Sequence, residues 1–205
     1  MRHSSLALLL LSACAAQDAS RTRDAGVLFD GRSLGAWKSV EFGGEGKVHV
    51  QDGALVLEEG VALSGVAWSG EPLPKTHYEL SLEARKIDGQ DFFCGIAFPV
   101  GAKACSFVAG GWGGHVVGLS SIDGMNASEN ETMSTQDFER GRWYKIRLRV
   151  EAETIKAWID GKPVVDVSIK GRDVSIHPAM ESALPLGLTA YATKSAFRGI
   201  RIKKL

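Results

Sequence analysis

The residue types best suited to polar chemistry gather between positions 110 and 132. Gly110-Gly111-Trp112-Gly113-Gly114-His115 combines an aromatic, an imidazole and glycines that allow close backbone approach to a ligand. It is followed by Ser120-Ser121-Ile122-Asp123-Gly124-Met125-Asn126-Ala127-Ser128-Glu129-Asn130-Glu131-Thr132. There Asp123, Asn126, Glu129, Asn130 and Glu131 supply side-chain oxygens within nine residues. Such a loop suits Ca²⁺, with Asp123 and Glu129 as ligands, although the spacing is not that of an EF-hand. The expectation is that His115, Asp123 and Glu129 or Glu131 approach one cleft as catalytic groups, with Trp112, Asn126 and Asn130 as substrate contacts. The alternative is a solvated surface loop. Trp158 lies on a polar strand face with Lys156 and Asp160, where an aromatic ring could stack on a sugar. Arg85 and Glu83 share another polar strand face and could line the same groove; the alternative is an exposed ion pair. Trp37, Trp68 and Trp143 read as packing residues. There is no G-x-S-x-G nucleophile, and Gly111–Gly114 lacks the spacing and lysine of a phosphate loop.

The elements that must position these groups alternate with period two. Tyr78, Leu80, Leu82 and Ala84 share one face against Glu79, Ser81, Glu83 and Arg85. Tyr144, Ile146, Leu148 and Val150 alternate against Lys145, Arg147 and Arg149. Asp160-Gly161 reads as a hairpin turn between Ile155–Ile159 and Pro163–Val167, and Asp52-Gly53 as another between Val48–Val50 and Ala54–Leu57. Leu186–Tyr191 and Phe197–Lys203 read as closing strands. No long helical period appears. Short strands with regular turns point to an all-β sandwich of two antiparallel sheets over 27–205. The chain has 205 residues, a size for one domain. Lys plus Arg and Asp plus Glu each number 24, so there is no electrostatic footprint for nucleic acid. No apolar run reaches the ~18 residues of a membrane-spanning helix.

The N-terminus reads as an address. Met1-Arg2-His3 is basic, Leu6–Leu11 is apolar, and Leu11-Ser12-Ala13-Cys14 resembles a bacterial lipoprotein box. That resemblance implies a signal over 1–13, lipidation of Cys14, a tether over 14–26 and anchorage at the cell envelope, in the periplasm or at the outer membrane. An exported chain matures where disulfides persist. The midpoint between Cys94 and Cys105 falls at Pro99-Val100, so a turn over Pro99–Lys103 would set the two cysteines opposite each other. A bridge there is worth ~3 kcal/mol. The alternative is two free buried thiols.

Val27-Leu28-Phe29-Asp30-Gly31-Arg32-Ser33-Leu34 followed by Trp37, then His49-Val50-Gln51-Asp52-Gly53-Ala54-Leu55, resembles the opening of the 3-keto-disaccharide hydrolase domain family. Arg142-Trp143-Tyr144-Lys145-Ile146, Ile159-Asp160-Gly161-Lys162 and the closing Phe197–Leu205 resemble its later strands. The resemblance implies a concanavalin A-like or laminin-G-like β-sandwich (jelly roll). It also implies cleavage of glycosides whose sugar is oxidised at C3. A C3 ketone acidifies the C2 hydrogen and places the C1 leaving group β to the carbanion, so elimination breaks the glycosidic bond and water adds afterwards. Such a site needs a base for the C2 proton, donors or a cation at the developing enolate oxygen, and an acid near the leaving oxygen. Three stretches depart from the family pattern. Gly114–Leu119 replaces an acidic-aromatic Y-E-x-Q-I-x-D strand, Gly187–Lys194 lacks a Gln and a His, and Pro99 stands where an Arg is frequent. The same sandwich without catalysis is a carbohydrate-binding module or surface lipoprotein.

Overall fold

The computed structural model describes residues 25–205, so the signal, Cys14 and most of the tether lie outside the described residues. The chain forms β1 (Ala25–Val27), β2 (Trp37–Ser39), β3 (Val48–Gln51), β4 (Ala54–Leu57), β5 (Leu63–Trp68), β6 (Tyr78–Gly89), β7 (Cys94–Val100), β8 (Lys103–Gly110), β9 (Val116–Ser120), β10 (Ser134–Thr135), β11 (Trp143–Val150), β12 (Thr154–Ile159), β13 (Lys162–Ser168), β14 (Gly187–Tyr191) and β15 (Thr193–Lys204). The first sheet runs β13-β12-β11-β6-β15-β4-β3, with β1 also on β15. The second runs β10-β9-β8-β7-β14-β5-β2. All pairings within them are antiparallel, which makes the all-β two-sheet sandwich read from the alternation.

The alternation dictates the layers. Tyr78, Leu80, Leu82 and Ala84 of β6 and Tyr144, Ile146, Leu148 and Val150 of β11 face inward. They meet Ile96, Phe98, Phe107, Leu119 and Leu188 of the second sheet in one buried cluster. Each such large side chain contributes about 1.5–3 kcal/mol on burial. The buried Tyr78 hydroxyl donates to the Pro99 carbonyl at 2.8 Å, joining the two layers through a satisfied polar tip. Both dipeptide turns read from the sequence form as expected. Asp52 and Gly53 take φ of 50° and 76°, and Asp160 and Gly161 take 50° and 80°, the left-handed pair that a two-residue hairpin needs.

The β7–β8 hairpin corrects the disulfide expectation. Its turn is Gly101-Ala102, with Val100 opposite Lys103, so Cys94 pairs with Ala109 and Cys105 with Phe98. Four residues of offset along a ladder is ~13 Å, beyond the ~7 Å within which two Cα atoms can be bridged. Gly101, at φ 61°, supplies the turn backbone, and the strand runs on through Pro99. Pro99 is tolerated because β14 pairs with β7 only as far as Ala97, so its missing N–H costs no bond on that side. Both thiols are free and buried in the core, and burial pushes the Cys105 thiol up to about 12.

The outer face of the second sheet is built of small residues. Gly95 lies so close to Thr189 that a Cβ there would stand 2.3 Å from the Thr189 hydroxyl. A 3₁₀ turn, Pro178–Ala183, covers this face and buries Met180 and Ala183 against Val40, Leu63 and Ala97.

Candidate functional site

Three segments meet at one end of the sandwich. They are the end of β6 with the following loop (Lys86–Phe92), the β8–β9 loop (Gly110–His115) and the segment before β11 (residues 136–141). Backbone bonds hold them together. Gln136 N–H donates to the His115 carbonyl at 2.9 Å and Gly141 N–H to the Lys86 carbonyl at 2.8 Å. Asp91 accepts from Phe92 N–H at 2.7 Å and from Gly113 N–H at 3.1 Å, which ties the first two loops. Between them lies a polar depression of about 260 Å³ lined by Lys86, Gln90, Gly114, His115, Asp137 and Arg140, among others.

Lys86 is the unusual member. It continues the inward series Tyr78, Leu80, Leu82, Ala84, and so places an ammonium on the core face, where it is 7% exposed. Its Nζ makes no hydrogen bond and no ion pair among the described residues. Burial, and then the neighbouring Arg140, lower its pKa below the ordinary lysine value, against the opposing pull of Asp91 and Asp88. Gly114, at φ 104°, leaves the amine open: a Cβ there would stand 3.4 Å from Lys86 Nζ. His115 Nδ1 lies 2.8 Å from Asp137 Oδ1. An ionised carboxylate only accepts, so Nδ1–H donates and Nε2 is left free to take or give a proton. Arg140 pairs with Asp88 at 2.9 Å.

Across the Asp91–Gly113 tie lies a second cavity of about 230 Å³, lined by Leu63, Phe92, Val108, Trp112, Met180 and Tyr191, with Ser106, Ser120 and His177 among its polar members. Those polar groups are engaged: Ser106 donates to the Ser120 carbonyl at 2.5 Å, Ser120 Oγ accepts from Ala127 N–H, and His177 Nδ1 accepts from Ala179 N–H. This cavity suits an apolar group rather than a bare sugar. Trp112 stands at its rim, 47% exposed on a left-handed backbone.

The acidic loop does not join His115. At ~3.3 Å per residue, β9 puts roughly 17 Å between His115 and Ser120, and Asp123 lies beyond. Asp123 instead accepts from Arg172 Nε at 2.6 Å and from Asp173 N–H at 2.7 Å, and Glu131 pairs with the same guanidinium. These bonds hold both carboxyls below their ordinary values, the Asp173 amide acting most on Asp123 and Arg172 most on Glu131. Glu129 accepts from Asn126 N–H at 3.0 Å. Asn130 is buried. It donates to the carbonyls of Leu119, Met125 and Asn126 and accepts from Thr132, so its role is to hold the loop. The Asn126 amide and carbonyl are local turn partners of the same loop. The donor set expected for calcium does not fit one. Asp123 and Glu129 are turned to internal donors, and no group of three His, Cys, Asp or Glu among the described residues could hold a metal ion.

On the outer face of the first sheet, Trp158 is capped by Arg147, whose guanidinium lies 3.7 Å from the ring centroid, with Arg149 at 5.9 Å. The ring face expected to stack on sugar is thus occupied by a cation. Arg85 packs on Trp143 at 4.5 Å, and Arg198 lies 4.2 Å from the same ring. Neither residue reaches the depression at the sandwich end. Among the residues brought together there, the sequence marks only His115 and its neighbours Gly113 and Gly114. Lys86 carries the one sequence signal that could have found the rest, a charge in register with an apolar face.

A family model for the 3-keto-alpha-glucoside-1,2-lyase-like domain matches residues 24–203. The chain belongs to that family. No curated protein sequence matches this lyase-like chain. Among solved structures, the Crh5 transglycosylase in complex with NAG is similar at TM-score 0.62 and 10% identity, over 88% of this chain and 84% of that one. The carbohydrate-binding module CBM66 from Bacillus subtilis is similar at TM-score 0.54 and 12% identity, over 82% and 96%. A Bacillus subtilis protein of unknown function with a galectin-like fold is similar at TM-score 0.56 and 11% identity, over 82% and 89%. At these identities the likeness is one of fold, and it is the sandwich architecture of carbohydrate-active and carbohydrate-binding proteins.

Proposed function

We propose that this lyase-like domain cleaves glycosides whose sugar carries a ketone at C3, in the depression formed by Lys86, Gln90, His115, Asp137 and Arg140. The observation that carries this reading is the meeting of an Asp-oriented histidine with a buried, unpartnered lysine in one polar hollow. His115 Nε2, with its ring held by Asp137, takes the C2 proton. Arg140 and Gln90 supply positive charge and donors where the C3 oxygen gains charge, and the Lys86 amine stands in the same hollow. The C1–O bond then breaks, its electron pair leaves with the oxygen, and that oxygen receives the proton handed on by His115. A 1,2-unsaturated 3-keto sugar remains, and water adds to it. The apolar cavity beside Trp112 receives the apolar part of the leaving group.

The test is incubation of the purified protein with a 3-keto-aryl-glucoside. The reading expects phenol release that His115→Ala lowers by about 10²–10⁴-fold; a folded protein that releases none overturns it. Saturable glycan binding without product would favour the binding-module reading. We place the protein at the cell envelope, held by a lipid on Cys14. Incorporation of labelled fatty acid into the wild type but not into Cys14→Ser is the expected result, and equal labelling of both would remove the anchor.

A further inference from the structure

We infer that Lys86 acts on this substrate class through its nitrogen as a nucleophile, condensing with the carbonyl carbon of the oxidised sugar to form an iminium. This rests on the proposed cleavage of keto-glycosides and assigns the residue that would carry the electrons. The geometry is that of an amine prepared for a carbonyl. Lys86 is more than nine-tenths buried, and its Nζ has neither an acceptor nor a carboxylate within bonding distance among the described residues. It lines a hollow large enough for a sugar ring, and Gly114 offers no side chain to block the approach. A lysine needed only for charge would be expected to sit beside a carboxylate, as Lys103 does with Asp173 at 2.6 Å. Here the facing charges are Arg140, which disfavours the ammonium, and Asp91 and Asp88, which favour it more weakly. The balance leaves more of the neutral, nucleophilic amine than a surface lysine has.

The step balances. The amine adds to the ketone carbon, the carbinolamine loses water, and a C=N⁺ bond replaces C=O. The iminium draws electrons from C2 more strongly than the ketone, so His115 removes the C2 proton to give an enamine, which expels the C1 oxygen. Hydrolysis of the nitrogen–carbon bond returns the amine and the ketone. The protein's own nitrogen thus serves as the electron sink.

The experiment is reductive trapping. The protein is incubated with a 3-keto-glucoside and cyanoborohydride, then digested and mapped by mass spectrometry. The expected result is one reduced sugar adduct on the Lys86 peptide, in excess of that on any other lysine, and none with the unoxidised glucoside. Lys86→Met, checked for folding by its melting temperature, gives no adduct and loses turnover. Turnover without an adduct overturns the inference and leaves the cleavage reading standing. An adduct without turnover upholds the reactive amine and overturns the cleavage reading. A label spread evenly over surface lysines overturns the inference whatever the turnover.

Discussion

The two ends of β9 carry clusters of similar composition and opposite character. At one end His115, Asp137, Lys86 and Arg140 surround a hollow. At the other Asp123, Glu131 and Arg172 lock onto one another, while Asn130 bonds three carbonyls and Thr132. In the second cluster the main polar groups face protein partners, and the backbone pairing of Ser121 with Ser175 completes the lock. In the first, Lys86 has no partner and His115 keeps one nitrogen free. A loop rich in acids is therefore no better evidence of a site than a strand with one misplaced lysine. What separates a clasp from a site is whether its polar groups are already turned to protein partners or left facing a hollow that a ligand could fill.

The comparison can be broken by variants at either end. The largest effect is expected of His115→Ala, which should lower turnover by about 10²–10⁴-fold, the range of a general acid–base group, with an unchanged melting curve. Asn130→Ala should do the reverse. Leaving three carbonyls and Thr132 without their buried partner costs about 2–3 kcal/mol, or roughly 4–12 °C in Tm for a chain of this size, with kcat unaltered. Equal loss of activity in both variants would erase the distinction. Trp112→Ala should raise KM for an apolar aryl glycoside about tenfold, equivalent to ~1.4 kcal/mol of lost contact, and leave KM for a glycoside with a small leaving group unchanged.

The pH dependence of stability sharpens the contrast further. The Lys86 ammonium is disfavoured in the folded state, so unfolding takes up a proton between its lowered pKa and the ordinary value of 10.5. Stability contributed by this group should be fully present above 10.5, decline as pH falls through the folded value, and be lost below it. Denaturant titrations of Lys86→Met should lack this component, and a slope identical to that of the wild type would show that Lys86 is not destabilised. The smallest expected effect concerns the thiols. Cys94 and Cys105 should resist alkylation in the native protein and both react on unfolding without reductant; protection of both after unfolding would restore the bridge.

The fold was legible because period-two alternation needs only local information. Tyr78–Ala84 and Tyr144–Val150 declare their buried faces, and Asp52-Gly53 and Asp160-Gly161 declare their turns. The hairpin register was not legible. Pro99 suggested a turn, but an edge without a β14 partner accepts proline, and the true turn lies at Gly101-Ala102. Trp158 was placed on the correct face, yet nothing in its own strand announced that Arg147, its register partner on β11, would cap the ring. Of the depression, only His115 and the adjoining Gly113 and Gly114 were legible. Lys86 was visible as a break in an apolar series, and Asp137 and Arg140 carry no local mark at all.

The sequence by itself determined the two-layer sandwich, because strand faces and dipeptide turns are set by neighbours along the chain, and its opening and closing motifs carried the resemblance to the family. Only the tertiary structure decided which polar residues are free to act. Partnership between Arg172 and Asp123, or between Asp137 and His115, joins residues 49 and 22 positions apart, and such contacts are fixed by how the loops close over the ends of the sheets.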